Sequence, residues 1–433
     1  MSPDGVVERL YRTIDRRLFG AAPEVRFPAL EPFCLTFEDL PAAALADAVR
    51  HRVGQRGATV RIDVRRDSAP NAEPIFTAHC ALDHRSLSRS IDWVKAKVPA
   101  VLQAARARAE RGEPQVRPPQ QPQPSGEARG AASLLAGLAG EVLGRLRWRD
   151  QWFIQLHAPA GAAGIGERLA TIEPPADAFW ADPFLHLHDG RLWLFIEELP
   201  FAAVNAHLSA VEIDSQGRLL SPARPVLREP WHLSYPFIWA VGNYLFMIPE
   251  SSAHLSVDLY ECTRFPFEWR KRCTLLGGAA HADATVVSYR GRLWMFSAGR
   301  VAGGSLYDEL HIHSAEHIEG PWRAHPLNPV KIDARNARPA GRMWIDTDGS
   351  LIRPVQDCST IYGGAIRLQK VTLLDDERFA EIDLGEVKAP AELARARFHT
   401  LNAASDLLVV DALRRVPRLW ARSQPASREH RDG

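Results

Sequence analysis

The sequence predicts a mainly β protein, a five-bladed β-propeller preceded by a small α+β N-terminal region. The first observation is a repeat: a polar residue, an apolar strand, a glycine turn and an aromatic strand recur at roughly 50-residue spacing, the length of a four-stranded blade. The second is composition, because Trp, Phe, Tyr and β-branched residues become frequent from Trp152 to about Val410. The third is that no long helical pattern separates these strands, which argues against a parallel α/β sheet.

The repeat is clearest in its first copy, which begins at Phe179, places Asp182 before Pro183, and turns at Gly190. Later copies begin at Tyr235-Pro236, Asp283-Ala284 and Arg338-Pro339, and a weaker fifth copy begins at His399. Each copy supplies the first two strands of a blade, so five copies predict five blades.

Residues 1–111 form the predicted α+β region. Helical spacing of apolar residues marks three segments, residues 5–18, 41–55 and 86–111. Residues 59–64 alternate as a strand does. Ser86 can cap the third helix, whereas Pro99 inside it should kink or split it. No catalytic constellation is visible in this region.

Residues 112–130 form a Pro/Gln-rich linker, whose composition cannot bury enough apolar surface to offset the entropy of ordering it. Residues 131–146 predict an amphipathic helix with arginines at its far end. This helix could dock on the next domain, bind a partner or touch a membrane surface, and we favour docking. The propeller is assigned to residues 147–411, and a basic C-terminal tail to residues 412–433.

Composition narrows the function classes. The formal net charge is +1, so no overall field favours nucleic acid or an anionic membrane. Five cysteines without CxxC spacing predict neither a disulfide scaffold nor a zinc site. The sequence shows no signal-peptide pattern and no apolar run of the ~20 residues that a spanning helix needs. We therefore expect a cytoplasmic protein, with peripheral membrane contact left open, and we expect no cofactor and no metal.

The first strand of every propeller blade lines the central channel, so the starts of these strands meet at one mouth. The repeat puts polar residues at or near those starts: Asp182, Tyr235, Asp283, Arg338 and His399. Further candidates flank them: Glu198, His232, Glu250, His281, Arg353, Gln356 and Asp357. Converging buried ionisable groups are costly unless they pair with each other or with a ligand. We therefore predict a polar functional site at the mouth, although each residue alone could be a satisfied turn or core residue.

These stretches also resemble a known family. Ala181-Asp182-Pro183, the stretch around Tyr235-Pro236, Asp283-Ala284-Thr285 and the stretch from Arg353 to Asp357 resemble family-43 glycoside hydrolases and, more specifically, the N-terminal propeller module of plant glucosamine inositolphosphorylceramide transferases. The hydrolase resemblance implies an inverting mechanism with two carboxylates about 6.5–9.5 Å apart. It implies Asp182 as the general base and Asp283 as an auxiliary aspartate. The implied acid is a glutamate of a later blade, where this chain has Arg338.

Arg338 leaves the general acid open, because arginine does not release its proton near neutral pH. Glu250 or Glu198 would have to replace the missing glutamate. Arg338 with Arg353 instead predicts a bidentate grip on a carboxylate or phosphate, and hence an anionic ligand.

Two functions stay open. One is a carbohydrate-active propeller acting on an anionic glycan or glycoconjugate, either hydrolase-like or glycosyl-transferring. The other is a non-catalytic glycan-binding module that assists polysaccharide or glycolipid biosynthesis, with a biosynthetic enzyme or a membrane as partner. A protein-interaction propeller is a less favoured third class.

Overall fold

The computed structural model describes residues 3–19, 32–53, 55, 58–66, 73–112, 130–160, 164–300, 304–394, 396–404 and 406–418. The predicted linker falls outside the described residues except for its two end residues, and the predicted tail does so beyond residue 418. Most described residues from 148 onward lie in strands, so the prediction of a mainly β chain is confirmed. Within the described residues, no helix has both the length and the apolar character needed to cross a membrane.

The N-terminal unit is a four-stranded antiparallel sheet covered by helices. Its elements are α1 (Pro3–Phe19), β1 (Cys34–Phe37), β2 (Leu40–Pro41), α2 (Leu45–Arg52), β3 (Val60–Arg65), β4 (Phe76–Cys80) and α3 (Leu87–Arg111), with a 3-10 turn at Ala42–Ala44. The strand order is β2-β1-β3-β4. Val94 and Val98 of α3 share one apolar core with Ile62 and Val64 of β3.

Helix α3 begins where the sequence predicts, because the backbone N–H of Arg89 donates to the Ser86 side chain over 3.0 Å. It continues through Pro99 as a single helix, so the expectation that Pro99 splits it is wrong. The predicted amphipathic helix is α4 (Ala131–Arg147), and Leu138 on its inner face is buried in the core of the N-terminal unit. Helix α4 therefore docks on the unit that precedes it, whereas the next domain was expected.

The rest of the described chain forms five sheets of antiparallel strands. Two strands precede the repeats: β5 (Trp148–Ala160) and β6 (Gly164–Ile172). Sheet 1 contains β7 (Ala178–His188), β8 (Arg191–Pro200), β9 (His207–Ile213) and β10 (Arg224–Leu227). Sheet 2 contains β11 (Ser234–Val241), β12 (Tyr244–Ser251), β13 (Ser256–Arg264) and β14 (Glu268–Gly277), with a 3-10 turn at Ser252–His254.

Sheet 3 contains β15 (Ala280–Tyr289), β16 (Arg292–Arg300), β17 (Glu309–Ala315), β18 (Arg323–Ala324) and β19 (Lys331–Ile332). Sheet 4 contains β20 (Trp344–Ile345), β21 (Leu351–Asp357), β22 (Ala365–Leu374) and β23 (Phe379–Glu386), and the short helix α5 (Ala391–Ala394) follows it. Sheet 5 joins β24 (Leu401–Ala404) and β25 (Leu407–Pro417) to β5 and β6. Strand β25 thus runs past residue 411, which the sequence analysis predicted as the end of the propeller.

Neighbouring sheets share apolar cores in cyclic order. One core joins Phe184 of sheet 1 to Phe237 of sheet 2 and Val286 of sheet 3. Others join sheets 3 and 4, sheets 4 and 5, and sheets 5 and 1. Both faces of most strands are therefore buried, and each sheet has two sheet neighbours.

The N-terminal unit packs on the loops of sheets 3 and 4. Lys97 of α3 is fully buried, and its Nζ lies 2.7 Å from Asp308 and 2.5 Å from Glu309. The backbone N–H of Ala81 donates to the carboxylate of Asp308 over 2.9 Å. Since these loops follow the second strands of their sheets, the unit lies at the end of the sheets where the first strands begin.

Candidate functional site

Three predicted mouth residues share one unusual backbone conformation. Asp182, Tyr235 and Asp283 have φ values of 50°, 48° and 53°, and each lies at a bulge in the first strand of its sheet. A positive φ is uncommon outside glycine and costs about 1–2 kcal/mol for a bulky residue. A bulge turns a side chain away from the regular alternation of the strand. The repeat in the sequence therefore marks a recurring structural device, with Tyr235 as the counterpart of Asp182.

Asp182 joins three sheets through its carboxylate. Its Oδ1 accepts from Thr400 Oγ1 at 2.6 Å and lies 3.2 Å from Nε2 of His399, and its Oδ2 accepts from the backbone N–H of Tyr235 at 3.0 Å. On the other side of the imidazole, Nδ1 of His399 lies 2.9 Å from Asp411. Burial alone would raise the pKa of Asp182, but the charge of His399 and the hydrogen bonds from His399 and Thr400 hold it below its usual range.

His399 is the positively charged member of the group that it forms with Asp182 and Asp411. Burial would lower the pKa of His399, but the charges of Asp411 and Asp182 outweigh that effect and raise it to about 10. The ligand atoms of Asp182, His399 and Asp411 lie within 4.8 Å of one another, so these buried residues could geometrically hold a metal ion. The carboxylate of Asp411, however, already accepts the backbone N–H groups of Asp182, His399 and Thr400. This donor set fits a protonated histidine between two carboxylates better than a metal centre.

Arg338 is the second buried cation of the mouth. Its Nε donates to Oδ2 of Asp283 over 2.6 Å, its Nη2 donates to Oδ1 over 3.3 Å, and the same Nη2 lies 3.5 Å from Glu250. The side-chain amide of Gln356 also donates to Oδ2 of Asp283, over 3.0 Å. Burial raises the pKa of Asp283, and Arg338 opposes that rise. Four predicted residues from sheets 2, 3 and 4 thus form one hydrogen-bonded group.

Glu197 faces the mouth, and the predicted Glu198 does not. Glu198 contacts Ser209 at 2.6 Å and His207 at 3.3 Å, within sheet 1. Oε1 of Glu197 lies 3.2 Å from Nε2 of His232. Burial raises the pKa of Glu197 to about 7; the His232 hydrogen bond opposes the rise and the charge of Asp182 adds to it.

The strand register explains why Glu197 belongs with Glu250. Glu197 pairs with Ala181, immediately before the bulge residue of sheet 1. Glu250 pairs with Ser234, immediately before the bulge residue of sheet 2. The two glutamates therefore occupy equivalent positions in adjacent sheets. The pairing of β8 with the bulged part of β7, rather than side-chain alternation along β8, distinguishes Glu197 from Glu198.

The expected two-arginine clamp is not formed. Arg353 is fully buried, and its guanidinium donates to Glu381 over 2.8 Å and to the carbonyls of Asn336 and Ala337. Arg338 instead pairs with Asp283, so the two guanidinium groups serve different partners. The physical reason is that Glu381, on the outer strand β23, compensates the buried charge of Arg353. The geometry therefore removes the basis on which an anionic ligand was predicted.

Two further candidates lie within their own sheets. Asp357 accepts from the Ser359 hydroxyl over 2.5 Å, and burial raises its pKa. Nδ1 of His281 lies 3.0 Å from the Ser297 hydroxyl, and burial lowers the pKa of His281 to about 4. The structure does not bring either side chain to the group around Arg338.

An aromatic wall at the mouth was not predicted. The ring centroid of Tyr362 lies 4.9 Å from that of His399. The guanidinium of Arg338 lies over the Tyr362 ring, 5.0 Å from its centroid. Tyr307 stacks on Tyr362 at 5.7 Å, and Trp93 of the N-terminal unit meets Tyr307 edge-on at 5.8 Å. The tyrosines lie in loops outside the repeat and the tryptophan in another unit. No periodic signal could therefore have found them.

Comparisons with known proteins agree with the predicted resemblance. A sequence model described as "Glucosamine inositolphosphorylceramide transferase 1, N-terminal" matches residues 169–405, more than half of the chain. The chain is 32% identical over 233 residues to glucosamine inositolphosphorylceramide transferase 1 of Oryza sativa subsp. indica, covering 52% of this chain and 31% of that protein. The Arabidopsis thaliana protein of the same name is 31% identical over 209 residues, with 48% and 27% covered. The chain thus spans about a third of the length of these relatives.

Solved structures with a similar course of the chain are glycoside hydrolases of low identity. A thermostable family-43 glycoside hydrolase is 11% identical, with a TM-score of 0.37 and coverage of 53% of this chain and 78% of that one. An exo-β-1,3-galactanase from Clostridium thermocellum is 8% identical, with a TM-score of 0.42 and coverage of 53% and 59%. By the match over residues 169–405, this chain belongs to the family of the N-terminal region of glucosamine inositolphosphorylceramide transferase 1.

Proposed function

We propose that sheets 1–5 form a five-bladed propeller whose mouth binds the glycan part of a glycoconjugate and assists its synthesis without hydrolysing it. The cyclic order of the inter-sheet cores supports the propeller, as does sheet 5, which pairs strands from both ends of the repeat region. The names of the relatives support a glycolipid as the glycoconjugate.

One observation carries the non-hydrolytic assignment: both aspartates that the hydrolase resemblance implies are already occupied. Each oxygen of Asp182 and of Asp283 accepts a hydrogen bond from a neighbouring sheet. A general base needs a carboxylate oxygen within reach of the attacking water. These two carboxylates instead hold sheets together, and Arg338 occupies the position where the acid is implied.

The residues at the edge of this group suit a sugar. The side chain of His232 is 39% exposed and bonded to Glu197, so the pair presents polar groups to solvent. Tyr362 and Tyr307, which are partly exposed, add aromatic surface beside Arg338 and His399. Sugar sites combine aromatic surface with a few fixed polar groups in this way.

A glycan panel tests the proposal by measuring both binding and turnover. We expect the wild-type chain to bind at least one glycan and to release no product, and His232→Ala to weaken binding. His317→Ala is the matched control, because His317 is exposed and lies in the loop that follows β17. Turnover by the wild type that Asp182→Asn abolishes would overturn the proposal.

Glu197 supports a second candidate, acid-assisted glycosyl processing. A carboxyl group with a pKa of about 7 holds a transferable proton near neutral pH, which is what a general acid requires. In that case Glu197→Gln abolishes turnover while glycan binding persists. Glu198→Gln is the control, since the structure directs Glu198 to His207 and Ser209.

A further inference from the structure

A patch of exposed apolar and arginine side chains lies where α4 meets β5. The exposed fractions are 58% for Leu143, 69% for Leu146, 42% for Trp148 and 91% for Val204. We call these four residues, together with Arg145, Arg147, Arg149 and Arg418, the docking patch. Large apolar side chains this exposed, grouped and bordered by charge, mark an interaction site more often than scattered ones do.

The docking patch is one continuous surface. The Arg149 guanidinium lies 4.0 Å from the ring centroid of Phe201, in the turn that carries Val204. Nε of Arg418 donates to the carbonyl of Arg145 over 2.5 Å and lies 3.3 Å from that of Trp148. The end of α4, the start of β5 and the turn after β8 are thereby held together.

The docking patch shares its end of the sheets with the mouth. Strand β8 ends at Pro200, which pairs with Ala178 at the start of β7, only four residues before Asp182. Two further exposed apolar residues, Leu255 and Ile361, lie in the loops after β12 and β21 at this same end; each is 46% exposed. The N-terminal unit covers sheets 3 and 4 here, so the patch borders the part of the mouth formed by sheets 5 and 1.

We propose that the docking patch seats this protein on an anionic membrane surface and turns the mouth toward lipid headgroups. Arginines interspersed with Leu and Trp are typical of helices that lie in the membrane interface. Each arginine near an anionic leaflet strengthens the attraction to it. Arg145 pairs with Glu141, whereas Arg147 forms no ion pair with any described residue, so the patch carries net positive charge.

The charge favours a membrane over a protein partner. A protein interface is depleted of charge at its centre. Here the four arginines lie among the apolar residues. On a membrane, the anionic headgroups would contact the arginines and the acyl layer would contact the apolar side chains. That the headgroup is a glycolipid rests on the proposed function; attachment to the membrane does not.

Vesicle co-sedimentation of the full chain tests the proposal. We expect binding to phosphatidylcholine vesicles that contain phosphatidylserine, weaker binding without it, and release by salt. The double variant Leu143→Glu, Leu146→Glu should lower vesicle affinity by at least about tenfold, because it adds two negative charges and removes apolar surface. Leu187→Glu is the matched control: Leu187 is 54% exposed but lies near the β7–β8 turn at the opposite end.

Three outcomes would overturn the proposal. The first is that the wild type binds neither kind of vesicle, and the second is that Leu187→Glu loses as much vesicle affinity as the double variant. The third is that the patch binds a protein but no vesicles. Binding of soluble glycans, measured without vesicles, separates this proposal from the proposed function. A chain that binds vesicles but no glycan refutes the function and leaves the docking patch standing.

Discussion

Nε of Arg338 donates to Oδ2 of Asp283 across 2.6 Å, with both side chains buried between sheets 3 and 4. The hydrolase resemblance implies a glutamic acid at Arg338 and an assisting aspartate at Asp283. In this chain Arg338 instead forms an ion pair with Asp283 that also reaches Glu250. This pair links neighbouring sheets, and under the proposed function it stands where the resemblance implies the proton donor.

Arg338→Met should destabilise the fold. It leaves Asp283 and Glu250 as buried acids without their cation, which costs about 3–5 kcal/mol in free energy of unfolding. Urea denaturation at neutral pH measures the change. Arg378→Met is the control, because its partner Asp375 is partly exposed and such a pair contributes about 0–1 kcal/mol. Equal losses in the two variants would contradict the assignment.

Lys97 should determine how firmly the N-terminal unit is attached. Lys97→Met leaves Asp308 and Glu309 buried without a cation, and we expect a loss of about 3–5 kcal/mol in unfolding free energy. Adding Asp308→Asn and Glu309→Gln to the same chain should restore much of the loss, since no charge then remains unpaired. A triple variant less stable than Lys97→Met would refute this account.

Glu197 and Glu198 should have opposite pH dependence. The folded-state pKa of Glu197 is raised from 4.5 to about 7, so its favourable contribution is present below pH 4.5 and lost as pH rises through 7. Glu197→Gln should therefore become more stable than the wild type as pH rises. At pH values above 7 the difference in unfolding free energy should reach about 3 kcal/mol. The pKa of Glu198 is lowered, so its contribution is present above its unfolded value. Glu198→Gln should lose stability in that range, and urea midpoints from pH 4 to 8 would show whether the signs differ.

His399 should stabilise the fold at low and neutral pH. Its pKa is raised from 6.5 to about 10, so its contribution is complete below pH 6.5 and disappears as pH rises through 10. His399→Gln should cost roughly 3–5 kcal/mol at the acidic end of this range and much less at its alkaline end. The exposed His317 provides the control through His317→Gln, which should show no such trend. A cost that is constant with pH would contradict a charged His399.

The repeat in the sequence coincides with a bulge that recurs in the first strands of sheets 1, 2 and 3. Asp182, Tyr235 and Asp283 are the three residues that adopt the bulge conformation, and all three were candidates. A polar residue at the start of an otherwise apolar strand is visible without a structure.

The choice between Glu197 and Glu198 could not be made in the same way. Phe195 and Ile196 precede them on opposite faces of β8, and both are fully buried. When both faces of a sheet are covered, hydrophobic alternation no longer distinguishes them. The pairing register of β8 with β7 then determines which of the two glutamates faces the mouth. The bulge opposite Glu197 sets that register.

Long-range partners explain the other differences. Arg353 looks like a ligand-binding arginine in the sequence, yet Glu381, on another strand of the same sheet, takes its charge. The partners of Lys97 are Asp308 and Glu309, more than 200 residues away along the chain. Pairings between residues so far apart along the chain leave no local pattern in the sequence. The same holds for the contact between Tyr307 and Tyr362.

Sheet 5 has a consequence for how the protein is made. Strand β5 ends up paired with β25, but β25 leaves the ribosome roughly 230 residues after β6 does. At ordinary translation rates that delay is on the order of 10 to 50 seconds. During this time β5 is an unpaired strand edge attached to an N-terminal unit that already has its own core. Recombinant yield should therefore depend on chaperones that cover β5 until the last strand arrives.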